Sequence, residues 1–140
     1  MVNIKIMLHN ISHIVLPILM IRLIHYYLPK IDFQTLILVV VAGCLFPDID
    51  HFTMRKLYKN LGFWKFIKEV MKADRYRKTF LPFHNFLTIL IILISLPIAN
   101  LINTFIAIFL LSMLAHLILD FLSDLMIIKM HSHWKFKSWL

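Results

Sequence analysis

Residues 33–51 read FQTLILVVVAGCLFPDIDH. An apolar run from Leu36 to Phe46 ends at Pro47, and Asp48, Asp50 and His51 follow at once. Two carboxylates and an imidazole at the mouth of a membrane segment are costly to place there, and lipid-facing packing gives no reason for them. The rest of the chain is therefore read for residues that can reach this cluster.

Composition decides the class of protein. At 140 residues the chain is one domain by length. It is 61% hydrophobic with a mean hydropathy of +0.82, and it has only two glycines. That leaves too little polar surface to cover a globule in water, so an integral membrane protein is expected. The net charge of +8 and pI near 9.8 call for anionic partners. Nucleic acid and phospholipid headgroups both qualify; the hydrophobicity favours membrane lipids, and no nucleic acid partner is expected. The single Cys44 lies inside an apolar run, which excludes an internal disulfide framework and marks it as a small core residue. Lys5 precedes the first apolar stretch, but His9 and His13 interrupt it and no small-residue cleavage site follows, so a retained helix is expected.

Four apolar segments stand out, at about 11–28, 33–46, 83–99 and 101–128. The second is short for a span, since a helix rises only about 1.5 Å per residue. The last two meet at Ala99-Asn100, which requires a helical hairpin. Between the second and third lies a basic segment, 52–82, with nine of the fifteen Lys and Arg residues. Within it Leu57, Leu61, Trp64, Ile67 and Met71 recur at helical spacing, with Lys65, Lys68 and Lys72 opposite. This is the pattern of an amphipathic helix in the headgroup region, contacting anionic lipid through residues 55–78. The expected fold class is all-α: a single membrane domain of about four transmembrane helices plus one amphipathic interfacial helix. The excess of positive charge places the basic segment and both termini in the cytoplasm of a multi-pass cell-membrane protein.

That topology puts every candidate ligand on one side. His13 opens the first helix, Asp48, Asp50 and His51 close the second, His84 opens the third, and His116 and Asp120 lie late in the fourth. His116 and Asp120 are four apart and share a helix face. A structural histidine–aspartate hydrogen bond would account for them alone, and Asp48 or Asp50 could serve as a helix cap after Pro47. The number of converging groups favours a metal instead. His25 lies on the wrong side, and the tail with His131, His133, Trp134 and Trp139 reads as an interfacial anchor.

Imidazole and carboxylate without thiolate suit zinc first, with manganese and iron as alternatives. Such metals activate bound water and polarise a phosphoryl or carbonyl oxygen, which points to hydrolysis of an ester or phosphoester. The expected metal ligands are His13, Asp48, Asp50, His84, His116 and Asp120, with Asp50 and His51 in catalysis. A non-catalytic protein stapled by a metal or polar network, and a small ion or metal transporter, are the alternatives.

At these residues the chain resembles the membrane-bound metal-dependent hydrolases, a family described as LexA-binding, inner-membrane-associated hydrolases. Gly43-Cys44-Leu45-Phe46-Pro47-Asp48-Ile49-Asp50-His51 is similar to its Gly-x-x-x-Pro-Asp-x-Asp-His signature. His116-Leu117-Ile118-Leu119-Asp120 is similar to its His-Leu-Leu-Leu-Asp motif, and His13 to its early histidine. Phe83-His84-Asn85 matches the second histidine of its central motif, whereas Thr79 stands where the first is expected. The resemblance implies a metal-dependent hydrolase with one ligand fewer than the usual set.

Overall fold

The computed structural model describes residues 4–50, 62, 64, 65, 82–123 and 125. Among these the chain is all helical: α1 spans Ile4–Tyr27, α2 Phe33–Leu45, α3 Phe86–Ile102 and α4 Thr104–Ser123. Helix α4 packs against each of the other three, and α1 also packs against α2.

Local chemistry sets the helix ends. Helix α1 begins ahead of the apolar run at residue 11, because Lys5, His9, Asn10 and Ser12 are polar without breaking a helix. Asp32 caps α2 by accepting hydrogen bonds from the Thr35 backbone N–H and hydroxyl, both at 2.8 Å. The Thr35 backbone bond, reinforced by the hydroxyl, holds the Asp32 carboxyl below the ordinary carboxylate range. At the other end Pro47 has no N–H to continue the α-helical ladder. The chain tightens into a 3₁₀ turn over residues 47–50, with Ile49 N–H donating to the Phe46 carbonyl at 3.1 Å. Three residues per turn set Asp48 and Asp50 about 120° apart around that axis, so they reach different partners.

Helix α3 runs through Asn100, and the hairpin turn falls at Asn103, beyond the Ala99-Asn100 position expected from sequence. Asn103 is extended (φ −159°, ψ 122°) and serves both helices. Its N–H closes α3 on the Ala99 carbonyl at 2.8 Å, and its Oδ1 accepts the Phe105 N–H of α4 at 2.7 Å.

Two apolar clusters fill the bundle. Met20, Ile24, Leu36, Val40, Cys44 and Ile108 join α1, α2 and α4. Ile92, Met113, Leu114 and Leu117 join α3 and α4. Helices α2 and α4 meet at Gly43, where a Cβ would lie 2.5 Å from the Phe109 carbonyl oxygen and 2.8 Å from Ser112 Cβ. No larger residue permits that approach without movement, and close contact through small residues is how membrane helices gain packing. Cys44 is buried in the first cluster, its Sγ 3.7 Å from the Ser112 carbonyl.

The outward faces are apolar, with Ile14, Ile18, Leu19, Leu38, Ile94 and Leu101 all exposed. Two helical segments, Phe33–Asp50 and Thr104–Ser123, are long and apolar enough to cross a membrane, and Phe86–Ile102 is apolar but shorter. Of the basic segment, Gly62, Trp64, Lys65 and Pro82 are among the described residues, and Trp64 is exposed. The amphipathic helix expected there, His51, Thr79 and the tail from residue 126 lie outside them.

Candidate metal centre

Six of the residues singled out from sequence meet at one end of the bundle, delivered by four local devices. Helix α4 supplies His116 and Asp120 from one face. The 3₁₀ turn supplies Asp48 and Asp50, and α1 supplies His13. His84 comes from the segment before α3, and that segment is fixed at both ends. Asn85 caps α3 by accepting from the Thr88 N–H at 2.9 Å, while its amide and the Thr88 hydroxyl both donate to the Pro82 carbonyl. Phe83 N–H donates to Asp50 Oδ2 at 3.1 Å.

The contacts form a chain through the bundle. His84 Nδ1 lies 2.9 Å from Asp50 Oδ2, and its Nε2 lies 2.8 Å from Asp120 Oδ2. Asp120 Oδ1 is 2.9 Å from His13 Nε2. His116 Nε2 is 3.0 Å from Asp120 Oδ2 and 3.4 Å from Asp48 Oδ1. The rings of His13 and His116 meet edge to face at 4.7 Å. Asp50, His84, His116 and Asp120 are buried, whereas the Asp48 side chain keeps 40% of its surface exposed. The site therefore has one accessible wall.

Two features fit a cation. Asp48, His84, His116 and Asp120 each offer a ligand atom, and these atoms lie within 4.8 Å of one another. An ion bound at about 2.0–2.2 Å from each donor would hold neighbouring donors roughly 3.4 Å apart, so small adjustments suffice. The second feature is His116 Nε2, which is buried beside two carboxylates yet aligned for no hydrogen bond among the described residues. A buried imidazole nitrogen that faces two carboxylate oxygens, with a well-aligned hydrogen bond to neither, is placed as a metal ligand would be.

Asp50 and His13, also expected as ligands, stand one contact further out: Asp50 behind His84, and His13 behind Asp120. Asn85, Thr88 and the Phe83 N–H were not singled out from sequence as parts of the site. The Asn-x-x-Thr spacing at a helix start was the available signal for the first two. His25 lies away from this end, its ring 5.2 Å from Phe33.

No curated protein and no solved structure matches the chain. A family profile does, over residues 7–127, which takes in every residue of this centre. The chain belongs to the YdjM inner membrane protein family.

Proposed function

We propose that this inner membrane protein binds one divalent metal, zinc first, and hydrolyses an ester or phosphoester at the cytoplasmic membrane face. The observation that carries the reading is the convergence of Asp48, His84, His116 and Asp120 on one point. A set of two imidazoles and two carboxylates is a hard-to-borderline site suited to zinc, with manganese or iron as alternatives. With a fifth position open on the exposed Asp48 side, zinc held by these residues would lower the pKa of a bound water toward neutrality and polarise an oxygen of the substrate. The chain's own contribution is to exclude water on the buried side, where His84, His116 and Asp120 sit, and to leave access on the Asp48 side. His51, next in sequence to Asp50, is the proton-transfer residue of this reading.

The same reading takes four membrane spans with both termini in the cytoplasm. The basic segment 55–78 then gathers anionic headgroups beside the site, which makes a phospholipid phosphoester the favoured substrate class.

One observation favours a second reading. His84 already bridges Asp50 and Asp120, so a protonated ring can staple the helices with no metal present. The full chain in detergent separates the two. Metal analysis after purification, followed by turnover of phospholipid and simple phosphoesters with and without added zinc, should give about one ion per chain and metal-dependent cleavage. A chain that folds, holds no metal and cleaves nothing is a stapled bundle. One that binds metal and never cleaves retains the site and loses the hydrolase assignment.

A further inference from the structure

Six polar side chains meet at one end of the bundle, and two of them divide their atoms between a partner behind and the centre in front. His84 uses its Nδ1 on Asp50 and turns its Nε2 toward Asp120 and the centre. Asp120 uses Oδ1 on His13 and turns Oδ2 toward His84 and His116. In both cases one atom of a bidentate side chain is held from behind and the other is presented. Asp50 is 1% exposed, and its Oδ2 also receives the Phe83 N–H at 3.1 Å, so the same oxygen fixes the ring and the backbone that carries it.

We infer that Asp50 and His13 are positioning residues, acting through His84 and Asp120, and that the ligands are Asp48, His84, His116 and Asp120. The inference rests on the metal reading above and divides its labour. Asp50 selects the His84 tautomer with the proton on Nδ1, which leaves the Nε2 lone pair for the ion. His13 orients the Asp120 carboxylate so that Oδ2 faces inward. A second carboxylate or imidazole behind a ligand is how metal sites fix ring orientation and raise ligand basicity, and loss of such a partner typically weakens binding about 10–100-fold.

Two measurements on the full chain in detergent test this. The first uses cobalt(II) as the probe, because its visible bands report the ligand set independently of activity. Asp50→Asn and His13→Gln should keep the band pattern of the parent while the dissociation constant rises about 10–100-fold. His116→Ala should change or abolish the bands. A band pattern altered in Asp50→Asn as a lost ligand would alter it makes Asp50 a ligand and overturns the assignment. An affinity unchanged within a factor of two makes Asp50 merely structural, and also overturns it.

The second measurement needs no variant, and so survives a variant that fails to fold. Nitrogen-15 NMR of the zinc-loaded parent, labelled at histidine, should show metal-bound Nε2 and protonated Nδ1 at His84, metal-bound Nε2 at His116, and no metal-bound nitrogen at His13. Zinc on Nδ1 of His84, or on His13, overturns the division of labour while leaving the metal reading intact. No metal-bound histidine at all overturns the metal reading, and this assignment with it.

Discussion

The two ends of the bundle satisfy their polar groups in opposite ways. At the end that carries the α1–α2 and α3–α4 turns, Asp32 bonds Thr35 and Asn103 bonds Phe105, partners two or three residues away in sequence. At the other end Asp50 reaches Phe83 and His84 across 33 and 34 residues, and His84 reaches Asp120 across 36. The first end is capped, exposed and local. The second has local bonds too, Asn85 with Thr88 and His116 with Asp120, but its buried chain of Asp50, His84 and Asp120 exists only when separate helices have docked. Polar groups that serve the helix alone can be met locally, whereas those held at a cost inside an apolar bundle need a common purpose to justify the assembly.

Removing Asp120 should break this contrast most severely. Asp120→Ala leaves His13, His84 and His116 facing a buried void and should cost about 3–5 kcal/mol, as breaking a buried charged contact does. Denaturation in detergent measures the loss, and metal content should fall to background in the same sample. Next in size is the effect of metal on the parent. Zinc at about a hundred times its dissociation constant should stabilise the fold by roughly 2.7 kcal/mol, and a chelator should reverse the gain. In Asp120→Ala the thermal midpoint should ignore both additions; a metal response of full size there would remove Asp120 from the ligand set.

Gly43→Ala probes the middle of the molecule, between the two ends. Its Cβ would meet the Phe109 carbonyl oxygen at 2.5 Å, so overpacking should cost about 1–3 kcal/mol without altering which metal binds. The smallest effect belongs to the capped end. The Asp32 carboxyl is held below its unfolded-state pKa by Thr35, so its contribution is present above that unfolded value and is lost as pH falls through the folded one. Asp32→Ala should therefore lower the thermal midpoint at neutral pH by less than Gly43→Ala does, and the difference from the parent should vanish in acid. A difference that persists undiminished at low pH would assign the loss to something other than the charged cap.

How legible each region was follows the same division. The apolar runs and the helix-sharing pair His116 and Asp120 could be read directly, because periodicity and spacing are local properties. The end of α2 was marked by Pro47, whose missing N–H acts wherever it is placed. The turn between α3 and α4 was set at Ala99-Asn100, because Asn100 is a polar residue in an apolar stretch. It sits in α3 instead, and Asn103 makes the turn since its side chain caps α4 while its N–H closes α3. Within the centre, residue types and their common end were legible from charge and hydropathy. Which oxygen of Asp120 faces inward, and that Asp50 stands behind His84, depended on the docking of α4 against α1 and on the 3₁₀ turn, and neither leaves a mark on sequence spacing. Gly43 was equally silent as a contact point, because its meaning lies in Ser112 and Phe109 on another helix.

The order of the helices has one more consequence, for how such a protein is made. Helices α1 and α2 form one hairpin, and α3 and α4 another, joined by the basic segment. The first hairpin brings His13, Asp48 and Asp50, the second His84, His116 and Asp120, an equal division of the six. Neither half holds both Asp48 and its partner His116, or both Asp50 and the ring it supports. Until the halves meet, Asp50 lacks the His84 ring, Asp48 lacks His116 and His13 lacks Asp120, and these contacts form together. The centre is thus a record of completed assembly: any ion that needs both sides of it arrives only after the last helix is in place.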